Sequence, residues 1–122
     1  MEPVEGIAPH NIHTVFNKDR SHLVIAGPGA RVYFFLFVKL NRTYHPDIPR
    51  YTKEDEEALA RKYQDDAITE TVRFRDIYEG RTASVLTALP EYVFKKWHFG
   101  RIITIGDAAH KVRPLLWLRM QA

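Results

Sequence analysis

The run Val32-Tyr33-Phe34-Phe35-Leu36-Phe37-Val38 constrains the fold of this chain more than any other stretch. Aromatic and branched residues dominate the whole segment from Arg31 to Leu40. That composition predicts a strand packed on at least one face. Two weaker strand signals precede it, His13 to Phe16 and Ser21 to Ala26. Asn17-Lys18-Asp19-Arg20 and Gly27-Pro28-Gly29 separate the three with turn chemistry. The expectation is an antiparallel meander. The apolar run is far too short to cross a bilayer as a helix, so no membrane segment is expected.

A loop over residues 41–51, containing Asn41, Pro46, Asp47 and Pro49, leads into helical sequence. Thr52 stands three residues before Asp55, a variant of the capping box. Glu54, Asp55, Glu56 and Glu57 suit the positive end of a helix dipole. A helix is predicted from Lys53 to about Asp66, with Leu59 and Tyr63 on its buried face. A second helix is predicted over Phe74 to Glu79, ended by Gly80. Ser84 to Leu89, Tyr92 to Trp97 and Ile102 to Ile105 read as further strands. The fold class is therefore α+β, an antiparallel or mixed sheet with one or two helices. No repeat or low-complexity segment is present.

The chain has no cysteine, which removes disulfides, thiolate metal sites and cysteine nucleophiles. Its net charge of +3 comes from 18 basic and 15 acidic residues spread along the sequence. Lys95-Lys96 is only a pair, so a nucleic-acid groove is not expected. His10 and His13 lie three apart in loop or strand sequence without a third fixed ligand, so no metal site is expected. Asp107 and His110 lack a serine in a nucleophile elbow, although Ser21 and Ser84 exist. The amino terminus has neither the basic nor the apolar region of a signal peptide. An intracellular, cytoplasmic location is the expectation.

The chemistry-bearing segment is Gly100 to Pro114. Ile102, Ile103 and Ile105 form a β-branched run suited to a strand covered on both faces. Gly106 allows a turn or a close approach, and Asp107 places a carboxylate at the strand's carboxyl end, where α/β proteins hold ligands. Asp107 also fits a plain helix N-cap. Trp97, Phe94 and Phe99 read as core packing. The strand from Arg31 to Leu40 reads either as core or as one wall of an apolar pocket.

This segment resembles the second flavin-binding motif of FAD-dependent monooxygenases of the aromatic-ring hydroxylase type. Arg31 to Leu40, Tyr44 to Thr52 and Val93 to Arg101 extend the resemblance to fungal members that act in indole-diterpene and meroterpenoid pathways. It covers roughly residues 6–114. It implies that residues 1–82 are part of a substrate-domain sheet with its helices, and that 83–122 supply the last strand of the FAD-binding domain. It also implies cofactor contacts from Asp107, Gly106 and Pro114. The implied reaction is hydroxylation or epoxidation of an apolar secondary-metabolite intermediate with O2 and NAD(P)H.

The chain departs from that pattern in two places. It contains no Gly-x-Gly-x-x-Gly to hold a pyrophosphate at a helix start. After Pro114 it carries Leu115, Leu116, Trp117 and Leu118 where the family has a glycine-rich turn. A truncated fragment is therefore expected, with no catalytic residue assigned. The missing half would be supplied in trans. The alternative is a non-catalytic remnant or a small α+β interaction module that binds no flavin.

Overall fold

The computed structural model describes residues 4–29, 31–41, 43–44, 46–111 and 118–119. Strands β1 (Ile12–Asn17), β2 (Arg20–Ala26) and β3 (Val32–Val38) form an antiparallel sheet in the order β1-β2-β3. The meander expected from the sequence is present. Asn17 pairs with Arg20 across the first turn, where Asp19 adopts a positive φ of 62°. Gly27 donates its N–H to the Arg31 carbonyl at 2.8 Å, so Gly27-Pro28-Gly29 is a hairpin turn.

The register puts His22, Val24, Phe34 and Leu36 on one face, since His22 pairs with Leu36 and Val24 with Phe34. All four are buried. Helices α1 (Lys53–Lys62) and α2 (Phe74–Glu79) supply the other half of this core through Ala60, Phe74 and Ile77. The Phe34 and Phe74 rings meet edge to face at 5.6 Å between centroids. Full burial of side chains this size contributes about 2–3 kcal/mol each.

The first helix start follows the expected local chemistry, and the second uses the same kind of bond. The Asp55 N–H donates to Thr52 Oγ1, and the Thr52 N–H donates to the Asp55 carboxylate at 2.9 Å. The Arg73 N–H donates to the Asp76 carboxylate at 2.7 Å to open α2, and Gly80 closes it. Helix α1 stops at Lys62, short of Asp66, because the chain folds back: the Phe74 N–H donates to the Asp66 carbonyl. Gly6 seals the amino-terminal segment against this loop. Its φ is +92°, and a Cβ there would lie 2.7 Å from Val72 Cγ2.

That hook aims Asp66 at β2. Arg20 donates to its two carboxylate oxygens from Nε at 2.5 Å and Nη2 at 2.6 Å, a bidentate pair. His22 Nε2 lies 2.8 Å from the same carboxylate. An ionised carboxylate only accepts, so Nε2 carries the proton and His22 Nδ1 is left buried without a hydrogen-bond partner among the described residues. Burial pushes the Asp66 carboxyl up, but the hydrogen bonds from Arg20 and His22 outweigh it and hold the group below its usual 3.8. Burial lowers His22 from its usual 6.5, more than Asp66 raises it.

A second polar cluster ties α1 and α2 to the chain beyond them. The Glu56 side chain is only 2% exposed. It accepts from Lys53 Nζ at 2.8 Å, from the Tyr78 hydroxyl at 3.1 Å, and from the Ser84 hydroxyl. Burial raises the Glu56 carboxyl, and these three donors bring it below its ordinary value. Burial and the Glu56 hydrogen bond push the Tyr78 hydroxyl up to about 12.

Beyond Leu86 the elements are short. Strand β4 (Thr87–Ala88) pairs with β9 (Leu118–Arg119), β5 (Tyr92–Val93) with β8 (His110–Lys111), and β6 (His98–Phe99) with β7 (Ile102–Ile103). Ser84 to Leu89 and Tyr92 to Trp97 are thus strands over two residues each, not their full predicted lengths.

Asp66→Ala is expected to destabilise the chain by about 3 kcal/mol, because it leaves a paired guanidinium and a buried imidazole without their acceptor. The unfolded His22 binds a proton before the folded one does, so stability should fall as pH drops below 6.5. Asp66 adds to the loss only as pH falls through its depressed folded value. Urea unfolding between about pH 7.5 and about pH 5 checks this, and His22→Gln should flatten the upper part of that slope.

Candidate cofactor site

Asp107 sits in a single 3-10 turn, Gly106–Ala108, directly after the β6–β7 hairpin. Gly106 has a φ of +59°, the left-handed region that favours glycine, and open space lies where its Cβ would be. The backbone of the turn is fixed. The Tyr92 hydroxyl donates to the Asp107 carbonyl at 2.7 Å, and the Ala109 N–H donates to the Gly106 carbonyl at 2.9 Å. Ala109 is fully buried beneath it.

The Asp107 side chain, by contrast, is 82% exposed. Its nearest charged neighbour among the described residues is Lys111 Nζ at 4.0 Å, beyond hydrogen-bond distance. The carboxylate does not cap the turn: the residue at the cap position is Ile105, with no side-chain hydrogen bond there. The N-cap reading of Asp107 is therefore corrected.

Aromatic residues flank the turn. Trp97 stacks on His110 with centroids 5.0 Å apart and planes 23° from parallel. Trp97 Nε1 donates to the Phe94 carbonyl at 2.7 Å, and Phe94 lies against Tyr92 at 4.9 Å. The turn thus offers a hydroxyl-accepting carboxylate, a glycine open to close approach and a nearby aromatic surface.

Two expectations are overturned around it. The run from Ile102 to Ile105 forms a strand only over Ile102–Ile103, and it is not covered on both faces. Ile103 is 73% exposed and Ile105 78%. Among the described residues β7 pairs with β6 alone, and two strands bury too little to cover a face. Phe94, Trp97 and Phe99 are likewise exposed instead of packed in a core. Pro114 lies outside the described residues, as do Leu115, Leu116 and Trp117, so the structure brings together only Gly106 and Asp107 of the predicted contacts.

The core reading of the strand from Arg31 to Leu40 holds for one face of the sheet. Phe34 and Leu36 are core. Tyr33, Phe35 and Phe37 alternate onto the opposite face of the sheet, beside Leu23 and Ile25 across the β2–β3 ladder. The sequence reading missed both buried polar clusters. The signal available for the first was the two-residue spacing of Arg20 and His22, which puts both on one strand face.

Among curated proteins, the chain is 39% identical over 112 residues to FAD-dependent monooxygenase esdpE of Penicillium shearii. It is 40% identical over 115 residues to FAD-dependent monooxygenase spyC of Aspergillus fumigatus, and 37% over 113 to andE of Emericella variicolor. These matches cover 91%, 93% and 92% of this chain. The chain is a relative of the fungal FAD-dependent monooxygenases. It spans 23%, 23% and 24% of those three proteins. No family model matches it, and no solved structure is significantly similar to it. Among the described residues no helix of this monooxygenase relative is long and apolar enough to cross a membrane.

Asp107→Ala should leave thermal stability within about 0.5 kcal/mol of the parent, because the carboxylate makes no close contact among the described residues. A melting curve checks this. A loss as large as that expected for Asp66→Ala would make Asp107 a structural residue.

Proposed function

We propose that this chain is a segment of an FAD-dependent monooxygenase that carries the Asp107 end of the cofactor site. The observation behind this reading is the exposed Asp107 carboxylate, held on a backbone-fixed Gly106 turn in a chain related to FAD-dependent enzymes. The carboxylate would accept a hydrogen bond from a ribityl or ribose hydroxyl of FAD. Gly106 would let the cofactor approach the backbone, and Pro114 would border the flavin ring. Bound FAD would supply the oxygen chemistry, with O2 and NAD(P)H as co-substrates, for hydroxylation or epoxidation.

The second face of the three-stranded sheet supports an apolar substrate. Leu23, Ile25, Tyr33, Phe35 and Phe37 share it, and Phe35 stacks on Phe37 at 5.8 Å with planes 4° apart. In the assembled protein this face would form one wall of a pocket and exclude water from the reacting carbon. Residues 1–82 then serve the substrate and 83–122 the cofactor. No residue of this chain is assigned to the chemical step.

An NMR titration of the 122-residue chain with FAD tests the cofactor reading. The amides of Gly106, Asp107 and Ala108 should shift, and Asp107→Ala should weaken binding by about ten-fold or more, the usual worth of a charged hydrogen bond. A titration that leaves those amides unmoved contradicts the reading and favours the flavin-free interaction module.

A further inference from the structure

We propose that Tyr92 is a positioning residue for the cofactor site: its hydroxyl sets the direction in which the Asp107 carboxylate is presented. This rests on the reading above and goes beyond it, adding a residue 15 positions before the turn.

The turn needs an outside hold. Gly106 sits at a φ of +59°, and among the described residues nothing lies within 4 Å of where its Cβ would be, so packing does not fix it from that side. Glycine has the widest choice of backbone angles, and Asp107 follows it directly. Ile102, Ile103 and Ile105, which lead into the turn, are 67%, 73% and 78% exposed. Apart from Ala109, burial contributes little to where the carboxylate points.

Hydrogen bonds fix the turn instead, and they come from the segment 92–97. The Thr104 N–H donates to the Trp97 carbonyl at 2.8 Å on the way into the turn. The Phe94 N–H donates to the Ala109 carbonyl at 3.0 Å on the way out. Both are backbone bonds, open to almost any sequence. The Tyr92 hydroxyl bond to the Asp107 carbonyl, at 2.7 Å, is written in the sequence. Among the described residues it is the one side-chain hydrogen bond onto Gly106–Ala108. Pinning that carbonyl pins the planar peptide joining Asp107 to Ala108. The Asp107 Cα belongs to the same plane, so the base of the carboxylate side chain is pinned with it.

The register of β5 and β8 supports the same role. Tyr92 pairs with Lys111, so both side chains stand on one face of that ladder. Lys111 Nζ lies 4.0 Å from the Asp107 carboxylate. One cross-strand pair thus reaches Asp107 at both ends, Tyr92 at the carbonyl and Lys111 beside the carboxylate. The Tyr92 ring is itself set against Phe94, 4.9 Å between centroids.

Tyr92→Phe removes one oxygen and keeps the ring. In the 122-residue chain this variant should speed exchange of the Ala109 amide by about three-fold to ten-fold, the worth of one neutral hydrogen bond, and leave the β2 and β3 amides unchanged. It should also weaken FAD binding by about three-fold to ten-fold. In an Asp107→Ala background the same change should leave FAD affinity unaltered, because the hydroxyl acts through Asp107.

Equal FAD affinity of parent and Tyr92→Phe would overturn the proposal and leave the cofactor reading standing. An equal loss in both backgrounds would overturn it as well, since a merely structural Tyr92 acts without Asp107. So would unchanged exchange at Ala109. A parent whose turn amides do not respond to FAD contradicts the cofactor reading itself, and the positioning role falls with it.

Discussion

Alternation along β3 forces every second side chain of an almost wholly apolar strand onto the same face. That face must be covered for the chain to fold. The rest of the structure follows from how it is covered. Helix α2 lays Phe74 and Ile77 over Phe34 and Leu36, and the loop before it swings Asp66 onto Arg20 and His22. The ion pair adds orientation to a contact that apolar burial drives. A helix pair sliding along the sheet would separate a bidentate guanidinium from its carboxylate.

The part of the chain that carries the chemistry is built differently. Around Asp107 the backbone is held by a tyrosine hydroxyl, a 3-10 turn and two-residue ladders, with Ala109 as the buried residue at its centre. Local hydrogen bonds give the turn its shape but bury little apolar surface. The isoleucines that would anchor such a turn in a larger sheet face outward. The same region therefore presents both an exposed carboxylate and an exposed apolar surface.

Local chemistry in the sequence was a good guide wherever a few neighbouring residues decide the outcome. The Thr52–Asp55 capping box, the span of Phe74 to Glu79 with Gly80 after it, and the two hairpin turns all stand where their residues place them. The Gly106-Asp107 turn was legible for the same reason. Contacts between distant segments were not. Glu56 reads as one of four acids at a helix start, yet it is buried, because Lys53, Tyr78 and Ser84 converge on it from three segments. The isoleucine run signals a strand and a wish for burial, but covering it takes a surface that the run itself does not specify.

The main core lies entirely between Ile7 and Leu86, while the hairpin and the Asp107 turn bury little apolar surface of their own. Hydrogen–deuterium exchange of the isolated chain tests it most directly. Amides of β2, β3, α1 and α2 should share one slow, cooperative protection, and those from His98 to Asp107 should exchange orders of magnitude faster. Equal protection across both regions would contradict the account.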